Sequence, residues 1–218
     1  MGSSPASLYL PRDDPRLELL DPTKAHTFIL PVKQIHDSRD VVDFKSSRAY
    51  KKIMTFLFQL NKSMYPQELE RIADVNEQPL DAKTTTWSGP ILQLRGLLQK
   101  LEDLIDDHPP DLGPRRFGNV SFRRWSEALE TSLPRLLEEH LPESLSTFEA
   151  KSTGDVSAQG ELSAYFLGSF GSAQRLDYGT GHELSFLAFL GSLWMLGGFS
   201  SAGPGTESRG IVLGVIQP

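Results

Sequence analysis

The 218-residue chain contains no cysteine. That absence removes disulfides, thiolate nucleophiles and zinc–thiolate sites together, and it suits a reducing compartment. Long apolar runs are missing too, since no stretch reaches the roughly 18 uninterrupted apolar residues of a bilayer span. The start, Met1-Gly2-Ser3-Ser4-Pro5, lacks the basic-then-apolar pattern of a secretory signal, and Ala6 stands where a myristoylation motif needs Ser or Thr. A cytoplasmic location, extending to the nucleus, is the expectation. Positive charge is in deficit, with 22 Lys and Arg against 28 Asp and Glu and a net charge of -6. No global basic field therefore draws nucleic acid or an anionic membrane, and neither is expected as a partner. The pairs Arg115-Arg116 and Arg123-Arg124 read as solvated surface ahead of phosphate contacts. The five histidines, at 26, 36, 108, 140 and 182, show no metal-ligand spacing, and no Ser sits in Gly-x-Ser-x-Gly.

What the chain does hold is helical periodicity. Nothing alternates with period two over a useful length, so the fold class is all-α. Residues 1–26, mixing acids and prolines, read as a flexible or draped N-terminal arm, and residues 27–218 as a single multi-helix domain. Phe28-Ile29-Leu30-Pro31-Val32 reads as a short extended anchor. Ser46 or Ser47 can cap a helix whose apolar positions Ala49, Ile53, Phe56, Leu57, Leu60 and Met64 form one stripe. Residues 67–88 read as a loop or weak helix. A second helix spans about Pro90 to Asp106. Asn119 or Ser121 can start a third, bearing Phe122, Trp125, Leu129 and Leu133, after which Pro134 and Pro142 are expected to divide the chain into short helices. Lys151 to Gly160 reads as a loop, Glu161 to Phe170 as a helical piece, and Thr180 to Leu196 as a helix stopped by Gly197-Gly198. The apolar segment 210–218, with no polar cap, predicts that the chain stops inside its domain.

The densest chemistry is Arg175-Leu176-Asp177-Tyr178-Gly179-Thr180-Gly181-His182-Glu183, ahead of the apolar run Leu184 to Leu190. Polar groups this concentrated beside a core helix belong in a hydrogen-bond network or on a ligand. Two readings stand. In one, Thr180 caps the helix and Glu183 completes a Thr-x-x-Glu capping box, which leaves Asp177 and His182 unexplained. In the other, Gly179 and Gly181 let backbone N–H groups face a phosphate, and Asp177 and Glu183 are hard oxygen ligands for Mg2+. The third glycine of a Rossmann turn is replaced by Leu184, and no Gly-Lys-Ser/Thr follows, so neither dinucleotide nor Walker loop is present. Trp125 and Trp194 lie on apolar faces and default to the core.

Asp-Tyr-Gly-Thr-Gly-His-Glu at 177–183 resembles the signature of the phosphotyrosyl phosphatase activator family, also called protein phosphatase 2A activators. Further matches run in order: Phe28-Ile29-Leu30-Pro31 with Ile35-His36, Ser47-Arg48-Ala49-Tyr50, Pro109-Pro110 to Arg116-Phe117-Gly118-Asn119, and Phe122-Arg123-x-Trp125. The resemblance implies an all-helical fold that continues past the point matching Pro218. It implies peptidyl-prolyl cis-trans isomerase activity on a proline-containing peptide, and binding of the catalytic subunit of phosphatase 2A-type enzymes to activate it. ATP with Mg2+ is the implied cofactor. On this basis Asp177, Tyr178, Gly179 and His182 are the expected catalytic surface. Arg116, Gly179, Thr180, Gly181 and Glu183 are expected to hold nucleotide, and Phe117, Gly118, Asn119 and Trp125 to face the peptide or partner. The alternative expectation is a non-enzymatic phosphatase-binding chaperone or regulatory module. A prolyl isomerase needs no nucleophile, because its barrier of about 20 kcal/mol is amide resonance, so the lack of a hydrolytic constellation is compatible with the assignment.

Overall fold

The computed structural model describes residues 16–65, 87–113, 118–142, 144–149, 152–199 and 203–217. Its regular elements are helices: α1 (Ser38–Ser46), α2 (Arg48–Ser63), α3 (Gly89–Asp107), α4 (Ser121–His140), α5 (Ser144–Glu149), α6 (Ala158–Leu167), α7 (Thr180–Met195) and α8 (Pro204–Ile211), the last passing into a π-helical turn, Val212–Ile216. Among the described residues there is no strand, only three isolated bridges. The fold is all-α.

Local sequence accounts for most boundaries. Ser47 ends α1 and caps α2 by accepting from Tyr50 N at 3.1 Å, which turns the chain sharply between them. Pro90 occupies the first turn of α3, where its missing N–H costs nothing. Ser157 caps α6 through Gly160 N, so the polar loop ends at Ser157 and Ala158 to Gly160 are already helical.

Two elements depart from expectation. α1 has a capping box, with Asp37 accepting from Arg39 N at 2.7 Å and Asp40 accepting from Asp37 N at 3.1 Å; the spacing Asp37-x-x-Asp40 is its signal. Pro134 does not divide the chain, and α4 runs through it to His140. A proline inside a helix costs about 3 kcal/mol or more, yet Leu129, Leu133, Leu136 and Leu137 are all buried on one face across the site. Burying those side chains, at about 1.5–3 kcal/mol each, outweighs the local penalty.

The core gathers Phe56 and Leu60 of α2, Ile91 and Leu97 of α3, Leu129 and Leu133 of α4, Leu162 and Phe166 of α6, and Phe189, Leu190 and Trp194 of α7. α3 packs on α4, α4 on α6, α6 on α7, and α2 on both α7 and α8. Of residues 16–26, grouped above with the arm, Leu17, Leu20 and His26 pack against this core. Leu17 is buried, Trp194 Nε1 donates to Leu17 O at 2.9 Å, Gln59 Oε1 accepts from Leu17 N at 2.7 Å, and Leu20 N donates to Met195 O at 2.7 Å. Phe28, also buried, bridges to Val156, while Ile29, Leu30 and Val32 stay exposed.

Candidate functional site

The segment between α6 and α7 forms a tight loop whose closure needs unusual backbone. Ser172 N donates to Asp177 O at 3.0 Å and Leu176 N donates to Ser172 O at 2.7 Å. Ser172 Oγ accepts from Arg175 N at 3.1 Å inside the ring so formed. The left-handed residue of the turn is Leu176, at φ 57°, a conformation that costs a branched side chain about 1–3 kcal/mol. The glycines of the motif do not supply it: Gly179 is extended at φ -167°, and Gly181 is not left-handed.

Neighbouring elements hold that turn in place. Gly118, at φ 84°, passes so close to Leu176 that a Cβ there would lie 2.5 Å from Leu176 O. Gly171, at φ 117°, would bring a Cβ within 3.0 Å of Asp177 O. Only glycine serves at either position. From α4, Arg123 Nε donates to Ala173 O at 3.0 Å and its Nη2 to Gln174 O at 3.4 Å. Its neighbour Arg124 donates to Asp111 Oδ1 and Ser121 Oγ. Arg123 and Arg124 therefore act as local struts.

The motif side chains divide by environment. Asp177 is exposed and accepts from Arg175 Nε at 2.8 Å; that guanidinium holds its carboxyl below the ordinary carboxylate value. It is a stable anion, unlike a general acid whose pKa has been raised. Tyr178 is 60% exposed and stacks on His182 with ring centroids 5.5 Å apart. His182 is half-buried, and its Nδ1 donates to Gly168 O at 2.7 Å, tying the start of α7 to the end of α6 and leaving Nε2 as the acceptor of the neutral ring.

The capping-box reading fails here. Gly179 is the N-cap of α7, Thr180 is its first helical residue, and no side chain caps the turn. The first-turn N–H groups thus lie beside Thr180, Gly181 and Glu183, all exposed. A Cβ at Gly179 or Gly181 would meet nothing within 4 Å, so a ligand can come close to the backbone. These features fit the phosphate end of a nucleotide. Among the described residues no three His, Asp or Glu side chains converge as a metal site. Asp177 and Glu183 offer at most two carboxylates, which suits Mg2+ only when phosphate oxygens complete its shell.

Beside the loop runs an apolar groove. A cavity of about 230 Å3 is lined by Asn119, Phe122, Phe170, Leu176, Asp177 and Tyr178. A second, of about 490 Å3, lies between α3 and α4 and has Asn119, Phe122, Phe170 and Trp125 in its wall. The two adjoin, sharing Asn119, Phe122 and Phe170 as a common wall. Phe122 stacks on Trp125 at 5.4 Å, and Phe170 meets Trp125 edge-on at 5.7 Å. Trp125 is buried, with Nε1 directed at Leu101 O, yet one face borders the groove, so core and wall are the same residue. Asn119 Oδ1 accepts from Ser121 N at 3.1 Å and from Asp111 N at 3.4 Å, so only its Nδ2 can serve a guest.

The structure thus brings Asn119 beside Asp177 and Tyr178 and Gly118 against the loop backbone at Leu176, while Trp125 stands behind Phe122 and Phe170 in the adjoining cavity. Arg116 and Phe117 lie outside the described residues. Phe122, Phe170, Arg123, Gly171 and Leu176 were not among the expected site residues. The helical piece was expected to end at Phe170, just before Gly171, but no pattern in one chain shows that Arg123 would reach two carbonyls fifty residues away.

Comparison with known proteins places this geometry in a family. The chain is 54% identical over 202 residues to serine/threonine-protein phosphatase 2A activator 1 of Aspergillus fumigatus, covering 93% of this chain and 42% of that protein. It is 52% identical to the protein of the same name from Emericella nidulans, covering 93% of this chain and 46% of the relative. The chain therefore spans less than half the length of these curated relatives. A crystal structure of the PP2A phosphatase activator Ypa1 PTPA1 matches with a TM-score of 0.64 at 34% identity, covering 93% of this chain and 57% of the other. The sequence model of the phosphotyrosyl phosphate activator (PTPA) protein family matches residues 31–218, and the chain belongs to that family.

Proposed function

We propose that this chain receives a proline-containing segment of the catalytic subunit of a phosphatase 2A-type enzyme in the groove beside Asp177 and Tyr178, and speeds cis–trans conversion at that proline. The observation that carries the reading is that the aromatic cavity adjoins the cavity at the strained motif loop, with Asn119, Phe122 and Phe170 lining both. Its relatives are named as phosphatase 2A activators, which supports the choice of partner.

The chemistry asks for no proton transfer. Rotation about the prolyl bond passes through a twisted amide that has lost resonance, and a site accelerates it by binding that geometry more tightly than either planar form. Phe122, Trp125 and Phe170 give the pyrrolidine ring an apolar wall that excludes water, and Asn119 Nδ2 is a donor that can meet a peptide carbonyl. Tyr178, stacked on His182, presents its ring and hydroxyl at the same edge. Asp177, kept ionised by Arg175, contributes fixed negative charge.

ATP with Mg2+ belongs, on this reading, at the uncapped start of α7, with Gly179, Thr180 and Gly181 near the phosphates and Asp177 and Glu183 toward the metal. The bound metal would offset the phosphate charge. Mg2+ alone is expected to bind weakly, because the two carboxylates do not complete a shell.

A protease-coupled proline-peptide assay tests the activity. The chain is expected to raise the isomerisation rate above the uncatalysed one. The exposed-residue variants Asp177→Ala and Tyr178→Ala are each expected to lower that gain by roughly tenfold, equivalent to about 1.4 kcal/mol of transition-state stabilisation. Unchanged rates in both variants would remove the loop from the mechanism. A chain that binds the subunit without accelerating the peptide would be a phosphatase-binding module.

A further inference from the structure

A cavity of about 360 Å3 lies away from the groove, between residues 17–28, α2, α6 and α7, and shares no lining residue with it. Its size falls within the range of small-ligand sites, roughly 300–1,000 Å3. The deep wall is apolar, formed by Leu17, Phe28, Phe56 and Leu162, all buried. That wall is braced: the bonds from Trp194, Gln59 and Leu20 fix residues 17–20, so it does not depend on apolar contact alone.

The rim of the cavity carries exposed cations. Arg48 and Lys52, one helical turn apart on α2, both line it, and neither pairs with a carboxylate among the described residues. The one acid in the lining, Glu161, is occupied on both oxygens, by Tyr165 Oη at 3.0 Å and Ile29 N at 2.9 Å. Two cations and this one hydrogen-bonded carboxylate leave the lining net positive, in a protein of net charge -6. A neutral apolar guest would make no use of the cations. A dianion would find too little polar surface behind them.

We propose that this cavity binds a single-chain acyl carboxylate, with the tail against Leu17, Phe28, Phe56 and Leu162 and the carboxylate between Arg48 and Lys52. The free acid and the anionic head of a membrane lipid share this chemistry, and the cavity, about 360 Å3, matches the volume of one acyl chain, which favours the free acid. The inference does not depend on the phosphatase reading, because the two sites lie on different walls.

Calorimetric titration with octanoate, decanoate and dodecanoate, each below its micellar concentration, tests it. Saturable 1:1 binding is expected, strengthening roughly fourfold for each added methylene until the cavity is full, since each buried methylene contributes about 0.8 kcal/mol. The double substitution Arg48→Ala and Lys52→Ala, both at exposed positions, is expected to weaken dodecanoate at least tenfold and leave dodecanol unchanged. Ala49→Trp, at the exposed rim, is expected to block both. Absence of saturable binding, equal loss of dodecanoate and dodecanol in the double variant, or binding to phosphatidate vesicles without binding to dodecanoate would each overturn the proposal.

Discussion

Leu176 bears the strain of the site, and Gly118 packs directly against it while Gly171 packs against the next carbonyl, Asp177 O. Gly118 leaves no room for a methyl group, with Leu176 O 2.5 Å from where a Cβ would stand, and its own φ is left-handed. Gly118→Ala is expected to cost about 2–4 kcal/mol, combining backbone strain with overpacking, and to lower the melting temperature accordingly. Calorimetric unfolding checks it, and a cost under about 0.5 kcal/mol would show that the loop shifts freely. Asp177 gives a second prediction at this scale. Its folded pKa lies below the ordinary 3.8, chiefly through the Arg175 hydrogen bond. The carboxylate's contribution to loop stability is therefore fully present above the unfolded pKa and is lost as pH falls through the folded one. Carbon-detected NMR of the Asp177 carboxyl is expected to give a midpoint below 3.8 that rises toward 3.8 in Arg175→Ala. A midpoint at or above 3.8 in the unsubstituted chain would contradict the pairing.

At the level of helices, the start of α7 decides between structure and ligand. With Gly179 as the N-cap, Thr180 makes no cap bond, so Thr180→Ala is expected to change stability by less than about 0.5 kcal/mol. A true cap would lose about 0.5–2 kcal/mol. Chemical denaturation separates the two, and a loss in the upper part of that range would restore the capping reading. The same comparison shows what the sequence made legible. α2, α3 and α7 were readable because capping residues, an N-terminal proline or a terminal glycine pair bracketed an apolar run. α1 was missed because none of its residues is buried and its only mark is the Asp37–Asp40 box. Pro134 misled for the opposite reason, since local chemistry argues for a break and only the buried stripe on either side argues against it. At the site, the motif's polarity was legible, but Gly179 and Gly181 were read as the flexible positions of the bend, and its left-handed residue is Leu176. No propensity places a left-handed turn on leucine.

Across the molecule, the two proposed sites lie on different walls of one helical core. The motif loop and the aromatic groove occupy the side built from α3, α4 and the α6–α7 connection, while residues 17–28 close a separate cavity over α2 and α7. Among the described residues no helix is long and apolar enough to cross a membrane. The central claim is that the 170–183 segment, with Gly118 to Trp125 behind it, is the surface offered to a phosphatase catalytic subunit. Hydrogen–deuterium exchange of this chain, alone and mixed with the catalytic subunit of a phosphatase 2A-type enzyme, tests it directly. Slowed exchange concentrated in residues 118–125 and 170–183 is the predicted result, and a complex that forms with those amides unchanged, or no complex at all, would contradict the account.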